Sequence, residues 1–289
     1  MADYVGDGDV MVLTGAGLST DSGIPDYRGA NGSLRRYTPM TFQTFVGDAA
    51  ARQRYWARSH VGWRRFASAR PNIGHRAVRA LQQLGLLSGI VTQNVDGLHQ
   101  AAGARDVVDL HGRLDRVICL SCRDVSTRTT LDARLNTANP HFDVAVAAMN
   151  PDGDADIADA ALASFRVVDC ARCGGVLKPD VVFFGESVPS TTVEHCFDIL
   201  DRSQLLLVLG SSLTVMSGYR FVRRAVRESI PVVIVNQGKT RADADADLIV
   251  DAPLGDALPK LLGALSGEAK PTNGHDPDAA TASLHAVAS

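Results

Sequence analysis

Short apolar runs that end in glycine or small polar residues recur along this chain, and they constrain its fold more than any other feature. Val10-Met11-Val12-Leu13 runs into Gly15, and Leu86-Leu87-Ser88-Gly89-Ile90-Val91 into Gln93. Val107-Val108-Asp109-Leu110 leads to His111, Leu205-Leu206-Leu207-Val208-Leu209 to Gly210, and Val232-Val233-Ile234-Val235 to Asn236; Leu248-Ile249-Val250 is a last short run. Runs of this length read as buried strands. Helical patterns separate them, and strand–helix alternation of this kind specifies an α/β fold with a doubly wound parallel sheet. Right-handed crossovers then bring the strand ends to one edge of the sheet, where open α/β sheets bind their ligands. Gly15, Gln93, His111, Gly210 and Asn236 are expected to gather there.

The intervening helices follow from apolar spacing. Asn72 to Leu84 places Ile73, Ala77, Ala80, Leu81 and Leu84 on one face, with Gly85 as a natural stop. A helix after Gly210-Ser211-Ser212 turns Phe221, Val222, Ala225 and Val226 inward, and another lies near Leu258 to Leu265. Residues 41–70 hold Phe42, Phe45, Tyr55, Trp56, Trp63 and Phe66 among many arginines, and read as short helices packing an apolar face.

Chemistry concentrates at the strand ends. Thr92-Gln93-Asn94-Val95-Asp96-Gly97-Leu98-His99 and Leu110-His111-Gly112 bring two amides, a carboxylate and an imidazole together. Such a set can hold a polar small molecule and move a proton, although Gln, Asn and Asp after a strand also form ordinary turns. Thr14-Gly15-Ala16-Gly17-Leu18-Ser19-Thr20 lets backbone approach a pyrophosphate at a helix start. It departs from the dinucleotide fingerprint, with Thr20 where the third glycine would stand, and it lacks the Lys-Ser/Thr ending of a P-loop. Ser22-Gly23-Ile24-Pro25-Asp26-Tyr27-Arg28-Gly29, continued by Gly32, reads as a loop able to close over a ligand. Arg28 there suits a phosphate, and Tyr27 could shield a reactive face; a surface turn is the plainer alternative.

Cys119-Leu120-Ser121-Cys122 and Cys170-Ala171-Arg172-Cys173 form two knuckles, leaving Cys196 unpaired by spacing. Four thiolates make a closed, structural zinc site, whereas a catalytic zinc keeps a position open. The interval between the knuckles exceeds the roughly 15–20 residues of a simple ribbon, so it contains an insertion. Within it, Asn150-Pro151-Asp152-Gly153-Asp154-Ala155-Asp156 reads as an exposed acidic loop, out of register for an EF-hand. Lys178 to Glu186 returns the chain to the main body as an apolar strand that an extended peptide could join by strand addition. The net charge of −3 offers no basic field for nucleic acid or anionic lipid. No apolar stretch reaches membrane-span length, and the acidic Met1–Asp7 segment has no signal-peptide pattern, so a cytoplasmic protein is expected.

Taken together these motifs resemble the sirtuin family of NAD-dependent protein deacylases. The resemblance rests on Gly15-Ala16-Gly17-Leu18-Ser19, Gly23-Ile24-Pro25-Asp26-Tyr27-Arg28, Thr92-Gln93-Asn94-Val95-Asp96, His111-Gly112, the paired cysteines, Phe183-Phe184-Gly185-Glu186, Gly210-Ser211-Ser212 and Val235-Asn236. Tyr55-Trp56-Ala57-Arg58, Gly62-Trp63, Ser217-Gly218-Tyr219-Arg220-Phe221 and the long insertion look most like the class II branch.

The resemblance implies a discontinuous Rossmann-type NAD domain (1–40, 72–118 and 176–266), a helical part (41–71) and a zinc module with its insertion (119–175); residues 267–289, rich in Ala, Pro, Asn, Gly and Asp, read by composition as a disordered tail. It implies NAD consumed as co-substrate, one structural zinc on Cys119, Cys122, Cys170 and Cys173, and acyl-lysine proteins as partners. NAD contacts would come from Gly15, Ala16, Gly17, Thr20, Asp26, Tyr27, Arg28, Gln93, Asn94, Val95, Asp96, His111, Gly210, Ser211, Ser212, Asn236, Gln237, Gly238 and Leu254. Substrate would lie along Val181, Val182, Phe183, Phe184, Gly185 and Glu186. His111 would act as general base, with Asn94 and Asp96 beside it, giving free lysine, nicotinamide and O-acyl-ADP-ribose. The same pocket would also serve a protein mono-ADP-ribosyltransferase or a non-catalytic NAD- or ADP-ribose-sensing module. A hydride-transferring dehydrogenase is disfavoured by the altered glycine pattern.

Overall fold

The computed structural model describes residues 1–28, 38–142, 148–156, 162 and 164–267. Gly29 and Gly32 of the expected closing loop, positions 143–147, 157–161 and 163 of the insertion, and the tail beyond Gly267 lie outside the described residues. Along the chain run α1 (Ala2–Gly6), β1 (Val10–Thr14), α2 (Phe42–Gly47), α3 (Ala49–Ser68), α4 (Ile73–Gln83), β2 (Leu87–Thr92), the short α5 (Leu98–Ala101) and β3 (Val107–Asp109). Next come β4 (Gly112–Cys119), β5 (Val125–Thr127), α6 (Arg128–Ala138), the two-residue strands β6 (Ala148–Met149) and β7 (Ala155–Asp156), and β8 (Leu177–Val181). The chain closes with α7 (Ser190–Asp201), β9 (Leu205–Leu209), α8 (Met216–Arg227), β10 (Val232–Val235), β11 (Leu248–Val250) and α9 (Leu254–Leu265).

Six strands form one parallel sheet in the order β11-β10-β9-β1-β2-β3. From β1 the chain steps outward through β2 to β3, and from β9 it steps the other way to β11. The direction of winding therefore reverses between β1 and β9, which opens a crevice beyond their ends. Side chains alternate across each strand. Val10, Val12, Leu205, Leu207, Leu209, Val233 and Val235 pack with α4 and α9 on one face. Met11, Leu13, Leu206, Val208, Val232 and Ile234 pack with α7 and α8 on the other. Both faces are covered, so the strands read as unbroken apolar runs. Each such side chain, fully buried, contributes on the order of 1.5–3 kcal/mol.

Helix faces differ in detail from the spacing argument. α4 buries Ala77, Val78 and Leu81, while Ile73 and Leu84 at its two ends are exposed. In α8 Phe221, Val222 and Ala225 face the sheet, and Val226 faces solvent. The expected short helices of 41–70 include one 20-residue helix, α3, capped by Asp48 on the backbone N–H groups of Ala50 and Ala51. α9 starts at Leu254, a turn earlier than its apolar core suggests.

The second layer is a three-stranded antiparallel sheet, β5-β4-β8. Residues 112–118 and 177–181, read from sequence with the main body, pair with each other here. Phe45, Tyr55, Trp56 and Phe183 form its aromatic core, with edge-on contacts at centroid distances of 5.1–5.6 Å among Phe45–Phe183, Phe45–Tyr55 and Tyr55–Trp56. Arg128 is buried at the start of α6, its guanidinium 5.5 Å from the Trp56 ring and 5.2 Å from that of Trp63. It donates to the Ser59 carbonyl at 3.2 Å and faces Asp132 at 3.5 Å, so the buried cation has partners on every side. Desolvation still draws its pKa down to about 10.

Candidate functional site

The site begins where β1 and β9 end. Gly15 N donates to Leu209 O at 3.0 Å, and Gly17 N to Gly210 O at 2.8 Å. A Cβ on Gly15 would sit 2.7 Å from Ser211 Cβ, and one on Gly210, at φ +63°, 2.6 Å from Leu18 N. Only glycines let these two turns touch. The floor they make is bare backbone, shaped for close approach of a ligand rather than filled by side chains.

Beside it stands the segment after β2. Gln93 Nε2 donates to Ser211 Oγ at 2.8 Å, tying this segment to the turn after β9. Asn94 Nδ2 donates to Gly15 O at 3.0 Å and to Ser19 Oγ at 3.1 Å. Ser19 Oγ donates to Asp96 Oδ2 at 2.6 Å, and Leu98 N to Asp96 Oδ1 at 2.9 Å. Burial raises the Asp96 carboxyl pKa, against these two donors and the field of Arg113. Beneath lies a buried polar layer. Thr14 Oγ1 donates to Thr92 Oγ1 at 2.8 Å and lies 3.0 Å from His99 Nε2. The His75 and His99 rings meet edge-on at 5.2 Å. Desolvation pushes His75 down to about 3 and His99 to about 4, so both are neutral at pH 7. The site's polar groups thus rest on an uncharged polar layer.

His111 enters from the end of β3. Its Nδ1 lies 2.8 Å from the Gln93 carbonyl, which can only accept, so Nδ1 carries the proton. Nε2 is then the basic nitrogen, and it receives Ser217 Oγ–H at 2.8 Å. Burial lowers the imidazole pKa, the Gln93 carbonyl opposes this, and the Arg220 charge adds to it. The result is a neutral imidazole with its lone pair fixed in direction. Its backbone is held too: Val182 N donates to His111 O at 2.8 Å.

The 181–186 segment forms the far wall. Phe184 O accepts from Phe42 N at 2.9 Å, and Gly185 O from Gln43 Nε2 at 3.0 Å. Glu186 turns inward: its carboxylate accepts from Phe183 N at 2.9 Å and pairs with the buried Lys178 ammonium at 3.1 Å. Lys178 also donates to the Val181 carbonyl. Glu186 therefore braces this wall from behind through its carboxylate. The Tyr27 ring meets Phe184 edge-on at 6.0 Å, and burial raises its phenol pKa well above the ordinary value.

These elements enclose one cavity of about 920 Å³. Gly15, Ala16, Gly17, Asp26, Tyr27, Arg28, Gln93, Asn94, Val95, Asp96, His111, Gly210, Ser211, Ser212, Asn236 and Gln237 line it, as do all six residues of 181–186. Three expected contacts do not. Thr20 turns its hydroxyl back to Gly17 O at 3.0 Å, Gly238 donates its N–H to Asp251 at 3.1 Å, and Leu254 packs into the core between sheet and helices. One correction concerns the insertion: Asn150, Gly153 and Asp154 are buried rather than exposed, and Pro151 and Asp152 reach the cavity wall.

The family model described as "Sir2 family" matches residues 15–217. A curated relative from Streptomyces coelicolor, named "NAD-dependent protein deacetylase 1", is 60% identical over 89% of this chain and 86% of its own. A Mycobacterium avium relative of the same name is 53% identical over 89% of this chain and 92% of its own. The chain belongs to the Sir2 family. Solved Sir2 structures agree with its fold. One described as "Sir2-p53 peptide-NAD+" superposes with a TM-score of 0.74 at 27% identity, covering 92% of this chain and 97% of that one. Another, "Structural Basis for the Mechanism and Regulation of Sir2 Enzymes", gives 0.74 at 28% identity over 92% and 96%.

In this Sir2 chain the cysteine knuckles converge. The four sulfurs of Cys119, Cys122, Cys170 and Cys173 lie within 4.8 Å of one another, with Cys119–Cys173 at 3.5 Å and Cys122–Cys170 at 3.8 Å. A tetrahedron of thiolates at the usual zinc–sulfur distance has edges of about 3.8 Å. The spacing fits that ion and is far too long for a disulfide. Other wall residues were not legible as site residues. Ser19 follows the glycine turn, and Ser217 and Arg220 sit on α8, where sequence singled out the segment only as a mark of its branch. Their reach to Asp96 and His111 depends on how α8 and the glycine turn pack, which no local spacing reports.

Proposed function

We propose that this Sir2-family chain is an NAD-dependent protein lysine deacylase, most like the class II branch, moving the acyl group from lysine to ADP-ribose with release of nicotinamide. The observation that carries the reading is the neutral His111 imidazole, with Nε2 as its basic nitrogen, on the wall of a cavity floored by bare glycine backbone. The cavity lies at the upper end of the range of about 300–1,000 Å³ typical of ligand sites. Gly15, Ala16, Gly17 and Arg28 would hold the pyrophosphate; Gln93, Asn94 and Asp96 the nicotinamide and its ribose; Gly210, Ser211, Ser212, Asn236 and Gln237 the adenosine half. Val181 to Gly185 would take the acyl-lysine strand, kept in shape by the Lys178–Glu186 pair.

Bound NAD supplies an electrophilic ribose carbon with nicotinamide as its leaving group. His111 receives a proton at Nε2 from a ribose hydroxyl, and the Gln93 carbonyl on Nδ1–H steadies the imidazolium that results. Asn94 and Asp96, fixed through Ser19, orient the sugar. The cysteine cluster would hold one structural zinc, closed to substrate because all positions are thiolate. Among the described residues no helix is long and apolar enough to cross a membrane. A cytoplasmic setting suits the four juxtaposed, unoxidised thiols.

The test is a set of lysine peptides capped with acetyl, longer aliphatic, succinyl and lipoyl groups, scored for nicotinamide release. At least one is cleaved, and His111→Ala folds, keeps zinc and loses roughly 10²–10⁴ in rate. Near-normal turnover by that variant would overturn the role of His111. Modified protein without deacylated peptide would point to ADP-ribosyl transfer, and no nicotinamide from any peptide to a binding module.

A further inference from the structure

We propose that Ser217 is a positioning residue for His111, its hydroxyl holding Nε2 as the proton-accepting nitrogen before substrates arrive. This rests on the reading of His111 as the base. Three observations carry it. Ser217 Oγ lies 2.8 Å from Nε2 while the Gln93 carbonyl occupies Nδ1, so the two contacts together leave one tautomer and one ring orientation. Ser217 is the second residue of α8, whose N-cap, Val215, makes no side-chain cap, and its hydroxyl bonds to the imidazole.

The approach of α8 is itself fixed. Gly218 follows, and a Cβ there would fall 2.6 Å from Gln93 Oε1, so a larger residue would displace the amide that bonds to Ser211. Farther along, Tyr219 Oη donates to Asp245 at 2.7 Å, and Phe221 is fully buried. The hydroxyl is thus presented to His111 by a helix with little freedom to move.

The consequence is chemical. A hydroxyl that donates to the Nε2 lone pair holds the neutral ring with that nitrogen unprotonated, and turned about its C–O bond it accepts from the imidazolium, so its part is to orient the ring in both states. Burial and the Arg220 charge lower the proton affinity of the ring, and the positive end of α8 acts with them. Asp96, the nearest acid on the segment after β2, is engaged by Ser19 and Leu98 N. When a substrate hydroxyl arrives, the Ser217 side chain turns aside and gives up its place at Nε2. Nε2 then takes the substrate's proton, the substrate O–H bond breaking as the N–H bond forms.

The experiment is a titration of the His111 ring by nitrogen and proton NMR in the full chain, for wild type, Ser217→Ala and Ser217→Thr. The pH profile of kcat/KM for peptide deacylation runs alongside. Wild type shows the Nδ1–H tautomer at neutral pH. Ser217→Ala loses the hydrogen-bond shift of the Nε2 resonance and lowers kcat/KM by about 2–12-fold, the range set by one net hydrogen bond. Ser217→Thr restores both. An Nε2 resonance and a kcat/KM that stay unmoved in Ser217→Ala, or an Nε2–H tautomer in wild type, overturns the proposal. Should Ser217→Ala fail to fold, the wild-type tautomer and the threonine variant still decide it. The ring titration needs no turnover, so a failure of His111 as base would show in His111→Ala kinetics without touching this readout.

Discussion

Gly112→Ala is the most exacting test of how the fold aims the His111 ring. Gly112 follows His111 and has φ +77°; a Cβ there would lie 2.1 Å from the Asp180 carbonyl oxygen and 2.9 Å from its carbon. Left-handed backbone costs a non-glycine residue about 1–2 kcal/mol. The clash is with backbone, so β4 and β8 must part at this end. That motion breaks the 2.8 Å bond from Val182 N to His111 O, worth about 0.5–1.5 kcal/mol, and strands polar groups in a buried seam at a further cost of about 1–3 kcal/mol. The sum is about 2.5–6.5 kcal/mol. At about 2 °C per kcal/mol for a chain of this size, the thermal midpoint falls by about 5–13 °C. Gly85→Ala is the control: Gly85 has φ +75° and nothing within 4 Å of its Cβ position, so only the backbone term remains, about 1–2 kcal/mol. Denaturant unfolding followed by circular dichroism gives both values. Because an ångström of misplacement at a reacting group costs about 10² in rate, Gly112→Ala also loses deacylation far beyond its folded fraction. If it is no less stable than Gly85→Ala, the claim that the β4–β8 contact fixes His111 is wrong.

Two more outcomes are expected. His75 and His99 have folded pKa values of about 3 and about 4, below the 6.5 of the unfolded chain, so the unfolded state binds more protons as pH falls. Stability is therefore fully present above about pH 6.5 and declines toward pH 4, by up to about 1.4 kcal/mol per pH unit for each histidine. Denaturant midpoints between pH 7.5 and 4.5 should show this, with a shallower slope in His99→Gln; equal slopes would refute the buried-neutral assignment. The purified chain should carry one zinc, released to a chromogenic chelator with melting of the small module's near-ultraviolet dichroism. Cys119→Ser lowers zinc occupancy and stability together, and a fully stable zinc-free chain would contradict the structural role.

Much of this architecture was legible because its strands are buried on both sides. Val10 to Leu13, Leu205 to Leu209 and Val232 to Val235 announce themselves as unbroken apolar runs, and their polar ends mark the rim where Gly15, Gln93, His111, Gly210 and Asn236 line one cavity. Helix faces were less legible at their ends: Ile73, Leu84 and Val226 keep the apolar spacing yet extend past the sheet they would cover. Motif membership alone does not put a residue on the cavity wall. Thr20, Gly238 and Leu254 belong to the right segments, but their side chains or N–H groups serve the turns and core beside the cavity. Conversely, the acidic run at 150–154 looked like a solvated loop. It is tucked in because Gly153 packs against Leu114 and Phe66, a tertiary contact that composition does not report. Ser217 and the Thr14–Thr92–His99 layer became visible only once helix and sheet were assembled.

The central claim is that one cavity joins NAD cleavage to removal of an acyl group from lysine. Mass spectrometry of a single reaction with an acylated lysine peptide and NAD tests it most directly. Equal yields of deacylated peptide, nicotinamide and O-acyl-ADP-ribose are predicted. Nicotinamide formed while the peptide keeps its acyl group, or NAD left intact with every cap offered, would contradict it.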